Sequence, residues 1–305
     1  MKKVLLATTV LVGTAGFAAA EGLTVTGSGV FGLNYAENAA VGADRTTPIM
    51  ETYIAFAGAG ETDSGLSFGM SSTLGQYATL AGAYEDDGTT LFISGAFGKI
   101  TFGDVSEADE VAGLGDIGLT GIGVDNVAEA TTGDSSGGVA HDVNYSYSAG
   151  DFSVAVSGRI GASDLINAND SFAIGAKYTF GDYYVGLGYN DTDVLAIIDG
   201  VRDGATTSIY AGGSAGDVSV KAMYASFSPD AAAAATVKSY GMNVDYTVGA
   251  ATVSFAFADN DAVGNTKASY GVGVSYDLGG GASVVGGVGS VNDVTRAQAG
   301  VSLKF

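Results

Sequence analysis

The sequence predicts an all-β chain, a transmembrane antiparallel β-barrel of about sixteen strands with short turns at one end and long loops at the other. Three observations predict it. Apolar residues recur at every second position, glycine-centred turns alternate with longer polar connections, and hydrophobicity is spread thinly instead of gathered in blocks.

The alternation is explicit in several stretches. Leu23, Val25, Phe31, Leu33 and Tyr35 share one parity. Val143, Tyr145 and Tyr147 alternate with Asn144, Ser146 and Ser148, and Phe152, Val154 and Val156 alternate with Ser153, Ala155 and Ser157. At the end, Ala297, Ala299, Val301, Leu303 and Phe305 alternate with Gln298, Gly300, Ser302 and Lys304. A two-residue period gives each strand one apolar face and one polar or small face.

Seven tight turns punctuate these strands: residues 60–64, Phe97-Gly98-Lys99, Ala149-Gly150-Asp151, Phe180-Gly181-Asp182, Ala215-Gly216-Asp217, Val248-Gly249-Ala250 and residues 278–281. Glycine supplies the positive φ that a two-residue hairpin turn needs. Longer connections rich in Asp, Asn, Thr and Gly alternate with them and hold both prolines, Pro48 and Pro229. Seven short turns and eight long loops make sixteen strands with both chain ends on the short-turn side. A closed sheet also leaves no unpaired edge for a bilayer to meet.

Residues 1–20 read as a cleaved secretory signal peptide. Lys2 and Lys3 precede an apolar run at 4–12, and Ala18-Ala19-Ala20 offers a small-residue cleavage site. Residues 21–305 then form a single barrel domain. Beyond the leader no stretch of about twenty residues is dominated by Leu, Ile, Val and Phe, so membrane helices are excluded. Mean hydropathy is nonetheless positive, at +0.28. The absence of cysteine removes disulfide and thiolate chemistry. A net charge of −21 argues against nucleic acid or an anionic membrane surface as partner.

One connection is exceptional. Gly98 and Gly150 lie 52 residues apart, against roughly 30–36 between other successive turns. The surplus falls at 105–139, which lacks sustained alternation and carries Glu107, Asp109, Glu110, Asp116, Asp125, Glu129 and Asp134 with no Lys or Arg. A loop this long inside a compact fold is usually functional. We read it as a constriction loop whose acidic rim narrows the lumen, attracts cations and repels anions.

Parity sorts the charges inside strands. Glu51, Arg159, Lys177, Lys221, Asp245, Arg296 and Lys304 fall on the polar faces, as the lumen wall requires; Lys238 does not, but sits at a loop end. A charge on the lipid face at mid-bilayer would cost about 2–4 kcal/mol. Phe97, Tyr178, Phe180, Tyr183, Tyr184, Tyr246, Tyr276 and Phe305 cluster beside the short turns as an interfacial aromatic girdle.

Several segments resemble the sixteen-stranded general porins of alphaproteobacteria. They are residues 61–69 (ETDSGLSFG), 91–104 (LFISGAFGKITFGD), 145–157 (YSYSAGDFSVAVS), 178–189 (YTFGDYYVGLGY) and 276–287 (YDLGGGASVVGG). Taken in order, the resemblance spans nearly the whole mature chain. It implies an outer-membrane homotrimer in a Gram-negative cell, passing small hydrophilic solutes and ions by passive diffusion. It also implies a third loop folded into the lumen, and a terminal Phe305 read by the barrel-assembly machinery. In that family an arginine-rich wall on the first three strands faces the acidic loop. Here Arg45, in a loop, is the one basic residue from Glu21 to Gly98, and Glu51 and Tyr53 stand on strand two. The departure predicts a pore more cation-selective than its relatives.

Enzymatic readings find little support. The one histidine, His141, lies at a loop-to-strand junction and reads as a surface residue. No cofactor is required. The runs Asn190-Asp191-Thr192-Asp193 and Asp259-Asn260-Asp261, like the third loop, could supply oxygen ligands to Ca²⁺, but they lack EF-hand spacing. Two alternatives stand beside a general porin: a substrate-selective channel of the same architecture, and a secreted soluble all-β binding protein.

Overall fold

The computed structural model describes residues 22–37, 45–77, 85–132, 141–160, 169–194, 203–231 and 234–305. The leader at 1–20 and Asp134 lie outside these residues.

Alternating sequence becomes paired strand throughout. Short turns join β2 (Thr46–Glu61) to β3 (Ser67–Tyr77), β4 (Glu85–Gly95) to β5 (Gly98–Val105), β6 (His141–Ala149) to β7 (Phe152–Gly158), and β8 (Asn169–Phe180) to β9 (Tyr183–Val194). The series continues with β10 (Gly204–Ala215) and β11 (Val218–Pro229), β12 (Val237–Val248) and β13 (Ala251–Asn260), then β14 (Ser269–Gly279) and β15 (Ala282–Val291). The first strand, β1 (Gly22–Ala36), pairs with the last, β16 (Val294–Lys304), and closes a sixteen-stranded antiparallel barrel. Closure is tied off beyond the last strand. The Gly27 N–H donates to the Phe305 carbonyl at 2.8 Å, and the Phe305 N–H donates to the Gly27 carbonyl at 2.9 Å. Both ends of the barrel chain thus lie on the short-turn side.

All seven tight turns form, two of them shifted from their expected spans: Ala96-Phe97 joins β4 to β5, and residues 62–66 join β2 to β3. In four of them Gly150, Gly181, Gly216 and Gly249 take φ of 59°, 63°, 59° and 59° at the first central position, as type II′ geometry needs. The other rim differs from expectation at one connection. The loop between β15 and β16 is only Asn292 and Asp293, at φ of 47° and 68°. Asn and Asp tolerate the left-handed region, so a type I′ turn forms without glycine, and one of eight supposed long loops is a tight turn.

Cross-strand register carries the apolar parity around the outside. Leu187 stands opposite Ile209, Ile209 opposite Tyr224, and Tyr224 opposite Tyr240, all exposed. Leu187 is 59% exposed. Leu187→Lys should therefore destabilise the barrel in lipid by about 2–4 kcal/mol. Ser146→Lys, on the water-facing parity, should cost far less. Urea unfolding from liposomes reads the difference, and equal losses would contradict the assignment of faces.

The girdle holds with one correction. Phe97, Tyr178, Phe180, Tyr183, Tyr246 and Tyr276 are exposed on the outer face, with Phe180 stacked between Tyr178 and Tyr183. Tyr184 instead points inward, where the Lys177 ammonium lies 5.7 Å from its ring centroid. Adjacent residues of a strand cannot share a face.

The tightest packing lies inside the barrel. Ile117, Ile122, Val124 and Ala128, from the connection after β5, bury against Tyr210, Met223, Ala225, Ala256, Ala258 and Val291 of the wall.

Candidate functional site

The connection after β5 turns inward and lies along the inner wall as a two-legged loop. Its outgoing leg is pinned first by Ser157, whose hydroxyl accepts the Ala108 N–H at 2.7 Å. Val111 then sits on Gly186, Ile117 on Gly273 and Gly287, and Leu119 on Gly32 and Gly300. Gln298 holds the reversal: its Oε1 accepts the Thr120 N–H at 2.9 Å and its Nε2 donates to the Gly121 carbonyl at 3.1 Å. On the way back Ile122 meets Gly271 and Gly289, and Ala128 meets Gly241. A short helix α1 (Asp125–Ala128) and a 3-10 turn (Glu129–Thr131) complete this leg. Asn260 Nδ2 donates to the Val127 carbonyl at 2.7 Å, and the Thr206 hydroxyl donates to the Thr131 carbonyl at 2.8 Å.

Many inward-facing glycines therefore serve neither a turn nor a bend. A Cβ at Gly175 would collide with the Ala108 carbonyl, and one at Gly188 with Asp109 and Ser208. They form a flat track on which the loop backbone and its Ile and Leu side chains rest. Contacts of the described loop residues run from β6 round to β16 and β1.

The structure divides the acidic residues. Glu107 and Asp109 are buried against the wall and Asp125 within the loop, and Asp109 is 0% exposed. Asn190 on β9 donates to both the Glu107 and the Asp109 carboxylate. Glu129 is half-buried and accepts the Leu114 N–H at 2.6 Å. Glu110 and Asp116 remain exposed on the loop. A rim made of all seven acids is thus replaced by two exposed ones, with Glu107 and Asp109 turned to the wall, Asp125 and Glu129 withdrawn into the loop itself, and Asp134 outside the described residues. The loop has no period, so tertiary contacts alone decide which way each acid points.

The basic residues divide as well. Lys221 Nζ donates to the Gly113 carbonyl at 3.2 Å and Arg296 Nη1 to the Ile122 carbonyl at 3.1 Å, so both clamp the loop. Lys177 lies over Tyr184, and Arg159 stands exposed just past the end of β7. Lys304 and Glu51 line a cavity of about 190 Å³ under the loop reversal, together with Tyr53, Asp116 and Thr120. The Tyr53 hydroxyl donates to Glu51 at 3.2 Å. A sixth inward base was missed. Lys99 pairs across the sheet with Ser94 and Ser146, and its ammonium lies 4.4 Å from the Phe92 ring centroid. Its place inside a turn tripeptide hid the strand parity that reveals it.

Asp116, Asp125 and Glu129 form a carboxyl group cluster within the loop. Burial first, then the neighbouring Asp116 and Glu129 charges, push the Asp125 carboxyl up to about 9. Glu129 is also raised, by burial above all, against the opposing Leu114 N–H. In an undocked loop Asp125 would return to the ordinary range near 4 and ionise there, while the docked form keeps its proton until about 9. The docked loop is therefore held best below about pH 4 and loses ground as pH rises towards 9. Open-channel current noise should grow over that interval, and Asp125→Asn should flatten the dependence. Noise that falls with rising pH would contradict the sign.

His141 is not a surface residue. It is 1% exposed, with Nδ1 2.7 Å from the Ser157 hydroxyl and Nε2 2.8 Å from the Ser171 hydroxyl. The sheet is irregular between Phe102 and Val105, and Val105 pairs with His141, which turns the ring inward. The Asx runs are strand and turn residues. Asn190 and Asn260 face inward to the loop, while Asp191 and Asp259 face outward and accept the Tyr189 and Tyr240 hydroxyls at 3.1 and 3.3 Å. Among the described residues no group of three or more His, Cys, Asp or Glu is arranged to hold a metal ion.

Comparison with known proteins gives concordant results. The family profile described as Gram-negative porin matches residues 7–296. A porin of Rhodobacter capsulatus is 38% identical over 287 residues, covering 83% of this chain and 91% of its own length. One solved porin structure superposes with a TM-score of 0.72 at 32% identity, covering 93% of this chain and 100% of its own. A triple mutant of the Rhodopseudomonas blastica porin shares the fold at 19% identity and a TM-score of 0.71, with the same coverages.

Proposed function

The chain belongs to the Gram-negative porin family, and on that premise we propose that its pore favours small hydrophilic cations over anions, with the loop at 105–139 as the constriction. The protein is an outer-membrane porin, a water-filled barrel for diffusion of small solutes. One observation carries the finer reading. Lys221 and Arg296 are committed to loop carbonyls, whereas Glu110 and Asp116 are exposed on the loop and Glu51 lines the cavity beneath its reversal. Lys99 and Lys304 oppose them on the wall, so the bias is moderate.

Three further readings belong with it. Residues 1–20 direct export and are removed. Phe305, 85% exposed at the short-turn end, is the residue offered to the barrel-assembly machinery. Three copies associate through β1, β2 and β16, whose outward positions include Gly29, Gly58, Ala297 and Ala299, small enough for close wall-to-wall approach. Reversal potential in a potassium chloride gradient tests the charge preference. A cation-selective sign is expected; an anion-selective sign would remove the proposal while leaving the porin assignment intact.

A further inference from the structure

We propose that His141 is a positioning residue for the inner loop, present as the Nε2–H tautomer within a hydrogen-bond circuit that leaves the loop at the Ala108 N–H and returns to it at Glu107 and Asp109. The direction of each bond follows from the two ends. Asn190 donates through Nδ2 to the Glu107 and Asp109 carboxylates, so its Oδ1 faces the other way and accepts the Thr192 hydroxyl at 3.1 Å. With that proton committed, Thr192 can only accept from Ser171, 2.9 Å away. Ser171 in turn must accept from His141 Nε2, at 2.8 Å. Nδ1 is then a bare acceptor, and takes the Ser157 hydroxyl proton at 2.7 Å. Ser157 is left with lone pairs for the Ala108 N–H, also at 2.7 Å.

Each hydroxyl in this chain donates once, and the opposite tautomer cannot satisfy it. An Nδ1–H would donate to Ser157, already accepting from Ala108, and would strand the Ser157 proton and leave two acceptors, the bare Nε2 and Thr192 Oγ1, competing for the single Ser171 proton. Buried polar groups without partners are costly, so the circuit is selected as a whole. The ring lies at the strand that follows the loop, and the groups it serves lie at the loop's beginning. His141 thereby ties the two roots of the loop together through β7, β8 and β9. Asp142, the charged neighbour in sequence, is engaged elsewhere, accepting the Ile160 N–H at 2.7 Å.

The chain contains a single histidine, which makes the test direct. With ¹⁵N-labelled histidine in the full-length barrel in detergent, the imidazole spectrum contains only two nitrogens. We expect a protonated Nε2 and a bare Nδ1 at pH 7; an Nδ1–H tautomer or a doubly protonated ring would overturn the proposal. In planar bilayers, Ser171→Ala should raise the frequency of loop-dependent current fluctuations about fivefold, the factor carried by one buried hydrogen bond. Its hydroxyl bonds to His141 and Thr192, not to the loop, so an effect on the loop must pass through the circuit. If Ser157→Ala raises the noise and Ser171→Ala leaves it at the parent level, Ser157 alone anchors the loop and His141 has no positioning role. Should either variant fail to assemble, the tautomer of the parent protein decides.

Discussion

A barrel carrying Gly175→Val and Gly188→Val will conduct as a wider and noisier pore than the parent. Both positions face inward under the first turn of the loop, where an added side chain meets the Ala108 carbonyl at one and Asp109 at the other. Either the wall or the loop must yield. The wall is held on both sides by ladders, from Ser157 opposite Ala173 on β7 to Thr207 opposite Tyr189 on β10, so displacement falls on the loop. Overpacking of this kind costs about 1–3 kcal/mol per site, enough for two sites together to offset the few hydrogen bonds that pin Ala108 and Asp109. Ala222→Val is the control, since Ala222 is exposed on the outward parity between Val220 and Tyr224 of β11, away from β1, β2 and β16. Single-channel conductance and liposome-swelling cut-off measure the result, with the heat-dependent gel shift reporting assembly. Unchanged conductance in a properly assembled double variant would mean that the glycine track does not seat the loop.

The second large effect is on charge preference. Replacing Glu110 and Asp116 together by lysine reverses both exposed loop charges, and we expect the cation-to-anion permeability ratio to fall about tenfold. Two unit charges 4 Å apart in water interact by about 1 kcal/mol, and salt screens the remainder beyond about 10 Å. A change of four charge units at distances of this order therefore amounts to about 1–2 kcal/mol after screening. Lys304→Gln should move the ratio in the opposite direction by less, because one base is neutralised, not reversed. Glu107→Gln and Asp109→Asn should disturb the current trace more than the selectivity, since these carboxylates meet Asn190 and not the passage. A ratio indifferent to Glu110 and Asp116 but sensitive to Glu107 would place the ion path behind the loop and invalidate this account.

The wall was largely legible because its rule is local. A strand with Phe152, Val154 and Val156 on one parity can only have Ser153, Ala155 and Ser157 on the other, and a Gly-Asp pair between two such strands forms a hairpin wherever it occurs. The Asn292-Asp293 turn escaped the same rule, since its positive φ values come from residues that are equally common in long loops. The inner loop was legible in position but not in orientation. Its acids carry no periodic mark, and Asp116 differs from Asp125 only in which tertiary neighbours meet it. The part played by the inner-wall glycines is not legible in the sequence, because period and composition do not say what will lie against a strand. His141 looked superficial for a related reason: a histidine between a loop and a strand is exposed unless the register slips, and the irregularity near Val105 lies in the partner strand.

The two-residue connection between β15 and β16 gives the outer mouth a lopsided profile. Its neighbours around the ring are the eight-residue connection from β13 to β14 and the nine-residue connection from β1 to β2. Between them the connection shrinks to two residues, a gap in the run of longer loops. The reversal of the inner loop is fastened to Gln298, on the strand immediately behind this gap. A bulky visitor from outside, such as a labelling reagent or an antibody loop, meets the Asn292-Asp293 turn above the strand that holds Thr120 and Gly121.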